Sequence, residues 1–149
     1  MGDTLKNIAE EIRKCQRCEL RVNATNPVPG WGNLGAKYFL IGEGPGQNED
    51  EAGVPFVGSA GRRLDKLLAL AGIDINDCFL SNVCRCRPPR NRDPKKKEIA
   101  ACVEFLWREI KLVKPMYVIT LGSTPLSLFC PYGVRTMHGC MLEVEMPDA

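Results

Sequence analysis

Eight of the 149 residues are cysteines: Cys15, Cys18, Cys78, Cys84, Cys86, Cys102, Cys130 and Cys140. Two of them form Cys15-Gln16-Arg17-Cys18, in which two thiolates leave one turn of chain and can reach the same soft metal centre. The N-terminus, Met1-Gly2-Asp3-Thr4, has no basic stretch leading into an apolar core. With no secretory signal visible, metal or cluster ligation is a stronger reading than a disulfide framework for some of these thiols. Spacing alone leaves iron–sulfur and zinc both open. Cys78 and Cys130 sit among apolar neighbours and read as small core residues.

A second group of residues has the chemistry of a ligand pocket. Gly42-Glu43-Gly44-Pro45-Gly46 follows an apolar run. Such a turn exposes backbone N–H groups to a ligand oxygen, or is simply a tight turn. No Gly-Lys-Ser/Thr follows and the full dinucleotide fingerprint is missing, while Pro45 removes one donor. Asn82 closes another apolar run, where an amide is either a turn cap or a group with a partner to read. Charge adds a third signal. Arg85, Arg87, Arg90, Arg92, Lys95, Lys96 and Lys97 share one segment with a single acid, Asp93, so that segment is +6. The whole chain is +2, leaving 2 − 6 = −4 for the rest. A basic cluster in an otherwise acidic chain points to a polyanion such as nucleic acid.

The elements that must position these residues follow from periodicity. Leu5, Ile8, Ala9 and Ile12 predict an amphipathic helix over 4–14 that runs into the Cys15–Cys18 pair. Residues 23–36 are a loop rich in Asn, Pro and Gly. Tyr38–Ile41, Cys78–Val83 and Met116–Leu121 read as strands, and Met141–Met146 alternates weakly as a fourth. A helix from Ser59 presents Leu64, Leu67, Leu68 and Ala71 and stops at Gly72. Asp93-Pro94 is expected to open another, with Ile99, Val103, Leu106, Ile110 and Val113 on its apolar face. A short helix restarts at Thr124-Pro125. Strands alternating with helices imply one α/β domain over 1–149, a three-layer α/β/α arrangement with a short parallel four-stranded sheet. Ligands of such sheets bind where strands end, which selects the loops 42–46, 82–92 and 122–124. The longest apolar runs, Leu67–Ala71 and Ile99–Val103, are five residues each, against the ~20 a membrane helix needs.

Taken together, the motifs carry a resemblance. Gly42–Asp50, then Gly53-Val54-Pro55-Phe56-Val57-Gly58-Ser59-Ala60-Gly61 with Leu64-Asp65, then Ser81-Asn82-Val83 and Cys86-Arg87-Pro88-Pro89-Arg90-Asn91-Arg92-Asp93-Pro94 occur in order. This pattern resembles the family 4 uracil-DNA glycosylases, the iron–sulfur type of thermophilic bacteria and archaea, from about Cys15 to Gly122. The resemblance implies hydrolysis of the N-glycosidic bond of uracil in DNA. It implies a [4Fe–4S] cluster on Cys15, Cys18, Cys86 and Cys102, with Cys84 as a rival ligand by spacing. It implies that Phe56 stacks on an extruded uracil, that Asn82 reads its edge, and that Glu43 is the catalytic acidic residue. Gly42, Gly44 and Gly46 would line the base, and Glu49 would crowd its C5 edge. Arg85, Arg87, Arg90 and Arg92 would meet the DNA.

One departure stands against this. The family carries a His-Pro-Ser motif beyond the strand expected near Met146, and this sequence ends at Ala149 without it. The single histidine, His138, matches a basic residue of the family's Arg-Gly turn, so the catalytic histidine's role is not carried onto it. The expectation is a truncated or divergent member, monomeric, intracellular in a cytoplasmic setting with access to DNA. The rival classes are a weak or non-catalytic uracil- or DNA-binding domain that serves a replication or repair protein, and a zinc-stabilised nucleic-acid module.

Overall fold

The computed structural model describes residues 2–147. Three parallel strands, β1 (Tyr38–Gly42), β2 (Cys78–Asn82) and β3 (Tyr117–Thr120), form one sheet in the order β2-β1-β3. Tyr38 pairs with Cys78 on one side and Tyr117 on the other, so all three strands end at the same edge of the sheet. Side chains alternate across it. Phe39, Ile41, Phe79 and Val118 point into one apolar cluster, and Leu40, Cys78, Leu80 and Ile119 into the other.

Each face is covered by one long helix. Helix α1 spans Leu5–Lys14, α2 Leu20–Asn23, α3 Gln47–Ala52, α4 Ser59–Ala71 and α5 Lys96–Val113. On one face α4 lays Leu64 and Leu68 on Leu40 and Leu80. On the other, α5 contributes Leu106, Ile110 and Val113 beside Phe39 and Phe79. Helix α1 packs outside α5, where Ile8 and Ile12 bury completely against Phe105. Arg108 of α5 clamps it further, with ion pairs of 2.7 Å to both Asp3 and Glu11. The outer edge of β2 is paired with the 23–36 loop, since Trp31 and Leu80 exchange two backbone hydrogen bonds of 2.8 Å. Short helices α6 (Ser123–Ser127) and α7 (Val134–Met137) follow β3.

Two expectations need correction. The sheet has three strands among the described residues, not four, because Met141–Met146 makes no strand pairing. The alternation there is weak and the side chains stay exposed, so no face is buried to drive pairing. Helix α5 begins at Lys96 rather than at Asp93-Pro94. Its first turn is fixed by Glu98, whose carboxylate accepts the Lys95 N–H at 2.9 Å and binds the Arg92 guanidinium at 2.7 and 3.2 Å. That carboxylate outcompetes Asp93 for the start of the helix.

Candidate functional site

The three selected loops meet at the carboxyl edge of the sheet. Past the strand ends, the Val83 and Cys84 N–H groups donate to the Gly42 and Glu43 carbonyls at 2.9 and 3.0 Å, so β1 and β2 stay locked in register into their loops. The N–H of Leu121 donates to the Ile41 carbonyl at 2.9 Å and holds the third loop against the first.

Gly42, Asn82 and Phe56 are brought together. A Cβ added to Gly42 would lie 2.5 Å from Asn82 Oδ1 and 2.9 Å from Phe56 Cζ. Asn82 is 4% exposed, and its side-chain amide makes no hydrogen bond among the described residues. Its polar atoms are not sealed from solvent, so the amide can be met by water or by a ligand at this edge of the sheet. Phe56 has φ +56°, an outlier for a bulky side chain. Close packing enforces it: helix α4 approaches so tightly that a Cβ on Gly61 would sit 1.9 Å from the Phe56 carbonyl oxygen. The ring is half-buried against Leu64 and Leu68.

Glu43 directly follows β1. Its Oε2 accepts the Thr124 hydroxyl at 2.6 Å, so the loop after β3 orients the carboxylate. Nothing in the sequence pointed to this pairing beyond the loop's place at a strand end. Glu49 accepts the Gly46 N–H at 3.1 Å, which occupies one of the two glycine donors expected to face the base. The Gly44 N–H makes no such bond among the described residues. The second oxygen of Glu49, Oε2, is buried without a partner. Asp50, next to it in α3, is buried and accepts the Thr25 and Asn26 N–H groups, so it fastens the 23–36 loop to the first motif.

Cys15, Cys18, Cys86 and Cys102 line one pocket between the α1–α2 connection, the loop after β2 and α5. Arg17, Arg21 and Arg85 line it too, and no carboxylate does. Burial pushes the Cys86 thiol up to about 12 and also raises Cys18. Cys102 is held down to about 7, first by a hydrogen bond from the Cys84 thiol and then by the positive charge and backbone N–H of Arg85. Cys84 is fully buried and does not line the pocket. Four soft donors with cations around them suit a thiolate-bound, net-negative group. Among the described residues, no three Cys, His, Asp or Glu side chains converge on a site for a single ion.

The basic segment divides. Arg85 does not belong to a DNA face: it is buried, and both terminal nitrogens of its guanidinium bind Glu109, at 3.0 and 2.7 Å. Glu109 also accepts the Ser81 hydroxyl at 2.6 Å and the Gly30 N–H at 3.0 Å. The sequence offered a clue, because Glu109 falls within the apolar face of α5 beside Leu106, Ile110 and Val113, where a carboxylate demands a partner. Arg92 is half-buried on Glu98 and Arg87 bonds Asn91 Oδ1 at 2.8 Å. Arg90 is exposed, as are Lys95 and Lys96. Arg90 and Asn91 both have left-handed backbones, with φ +56° and +57°.

Residues 29–147 match the family model of the uracil DNA glycosylase superfamily. A type-4 uracil-DNA glycosylase of Saccharolobus solfataricus is 49% identical over 121 residues, 80% of this chain and 56% of that protein. One of Thermotoga maritima is 44% identical over 127 residues, 85% of this chain and 66% of that protein. One of Archaeoglobus fulgidus is 42% identical over 120 residues, 80% of this chain and 60% of that protein. The chain thus spans between half and two thirds of the length of these relatives.

Proposed function

The chain belongs to the uracil DNA glycosylase superfamily, and from that premise we propose that it hydrolyses the N-glycosidic bond of uracil in DNA, releasing free uracil and leaving an abasic site. The observation that carries this reading is the Asn82 amide, which makes no hydrogen bond among the described residues and is brought beside Gly42 together with the Phe56 ring. A fixed amide donates to uracil O4 and accepts from N3–H. Cytosine offers a donor and an unprotonated nitrogen there, so the same amide rejects it. The base must leave the stack to reach this site, and the Phe56 ring provides the surface on which it stacks.

Bond breaking develops positive charge on the sugar and negative charge on the leaving base. Glu43, oriented by Thr124, stabilises the sugar cation or orders the attacking water. The Gly44 N–H, without a partner among the described residues, is the backbone donor available to a uracil oxygen on which charge grows, while Gly42, where the strand ends, lines the base. With its N–H on Glu49, Gly46 shapes this wall rather than donating to the base. Glu49 guards the neighbouring edge, where a thymine methyl would sit. Arg87, Arg90, Lys95 and Lys96 meet phosphates, and Arg85 and Arg92, paired with Glu109 and Glu98, are left out of that face. All these residues come from one chain, which supports action as a monomer on uracil-containing DNA.

The four pocket cysteines fit a [4Fe–4S] cluster by donor type and by their cationic surroundings. Bound there, it would cross-link the α1–α2 connection to the loop after β2; hydrolysis consumes no electron. No helix among the described residues is long and apolar enough to cross a membrane. The test of the whole reading is incubation with matched oligonucleotides bearing uracil or thymine, followed by alkaline cleavage at abasic sites. Strand scission confined to the uracil substrate is the expected result, and none above a no-protein control overturns the proposal.

A further inference from the structure

Arg85 lies between Cys84 and Cys86, is 2% exposed, and lines the cysteine pocket. Its two terminal nitrogens are engaged by Glu109. The third guanidinium nitrogen, Nε, is buried and its N–H has no acceptor among the described residues. A buried charged donor without an acceptor is costly to keep and calls for a partner. The residue already addresses this pocket through its backbone, whose N–H donates to Cys102 Sγ at 3.3 Å. No carboxylate lines the pocket, and the acceptors the proposed function brings there are sulfurs.

We propose that Arg85 Nε–H donates to a sulfur of the iron–sulfur cluster held by the four cysteines, either an inorganic sulfide or a ligand thiolate. Arg85 is then a positioning residue that balances cluster charge, where the sequence had suggested a phosphate contact. Glu109 aims it, and through Ser81 the same carboxylate reaches the residue before Asn82. The cluster's environment and the end of β2 are therefore tied by one buried ionic group. The inference rests on the cluster reading given above. Hydrogen bonds to cluster sulfur favour the more reduced, more negative state, so losing one moves the reduction potential in the negative direction.

The test uses the full chain purified without oxygen. Iron, acid-labile sulfide, visible absorption and reduction potential are compared between the parent and Arg85→Lys, which keeps the charge but replaces Nε–H with a methylene. The expected result is a cluster in both, with a more negative potential in the variant and an unaltered salt dependence of DNA binding. An identical potential and spectrum in an iron-loaded variant overturns the proposal. A second measurement, with Arg85 intact, decides the matter where that variant does not hold iron. In a chain carrying Arg17→Lys and Arg21→Lys, the two other arginines that line the pocket, with arginine labelled with ¹⁵N at Nε, pulsed paramagnetic resonance of the one-electron-reduced cluster should detect a coupled nitrogen. Its absence overturns the proposal. A parent that binds zinc or no metal fails the cluster reading itself, an outcome that the metal analysis identifies separately.

Discussion

Asn82 is where the chemistry of a single side chain is most exposed to test. Its amide has no hydrogen-bond partner among the described residues and is not sealed from solvent, so its hydrogen-bonding capacity is available to a base. Asn82→Asp keeps the volume, removes the donor and adds a negative charge where uracil presents O4. We expect kcat/KM for uracil release to fall by ~10²–10³, the usual cost of losing one aligned donor in a water-excluded site. Affinity for abasic DNA should hold, since it does not use that edge. Single-turnover kinetics on the uracil oligonucleotide and a binding titration on an abasic one measure the two quantities, and equal rates for variant and parent would remove Asn82 from base reading. At this scale the sequence disclosed Glu43, Phe56 and Asn82 only through motif order. Residue type alone left each of them as an ordinary turn or core residue. Thr124 was invisible as a partner of Glu43 because the two meet 81 positions apart, through sheet order. Arg85 was misread because local charge density does not say which side of a loop turns inward, and its partner Glu109 lies 24 residues on.

Helices and strands were legible where a periodic apolar face existed. Helices α1 and α4 and the first three strands follow the predicted bounds closely, since Ile8 and Ile12, or Leu64 and Leu68, have one core to enter. Helix α3 was not visible, because its six residues Gln47–Ala52 carry no apolar stripe and are held by polar bonds at Asp50 and Gly46. The start of α5 was misplaced because Glu98 caps it from inside. That cap predicts a pH dependence. The Arg92 guanidinium, helped by the Lys95 N–H and opposed by burial, holds the Glu98 carboxyl below its ordinary value. The folded state thus binds this proton less readily than the unfolded chain. The stabilisation is complete above the ordinary carboxylate value of about 4.3 and is lost as pH falls through the lowered folded value. Glu98→Gln should lower the melting temperature near pH 7 and flatten its decline between pH 5 and 3. Parallel acid limbs in thermal melts of parent and variant would contradict this.

The cysteine pocket joins elements that are otherwise unequally secured. Helix α1 has its own anchors in Ile8, Ile12 and the Arg108 clamp. The stretch from Cys15 through α2 has chiefly Leu20 in the core. Cys15→Ser should therefore strip the iron and raise amide exchange across residues 15–24, while residues 5–14 stay protected, because cluster binding energy is folding energy for the segment it ties down. Uniform loss of protection along the whole chain would mean that the thiols hold α1 itself.

At the scale of the molecule, the parallel order β2-β1-β3 sends the Gly42, Asn82 and Thr120 ends to one edge and so gathers motifs scattered along the chain. The basic loop leaves that same edge directly after Asn82. Of its seven cations, Arg85 is buried on Glu109 and Arg92 is committed to Glu98, while Arg90, Lys95 and Lys96 remain on the surface. The surface field is thus carried by fewer groups than the sequence count suggests. The left-handed backbones at Arg90 and Asn91 fix the loop's shape before DNA arrives, which lowers the ordering cost of a contact at its tip. Each phosphate contact contributes a slope of about 0.9 in the logarithm of affinity against the logarithm of salt. Arg90→Ala with Lys96→Ala should accordingly reduce that slope by up to about two, weaken binding to uracil- and thymine-containing duplexes alike, and leave the preference between them unchanged. Fluorescence anisotropy across a salt series supplies the slopes. A double variant with the parent's slope would show that these cations face solvent, and a changed base preference would show that they reach the pocket.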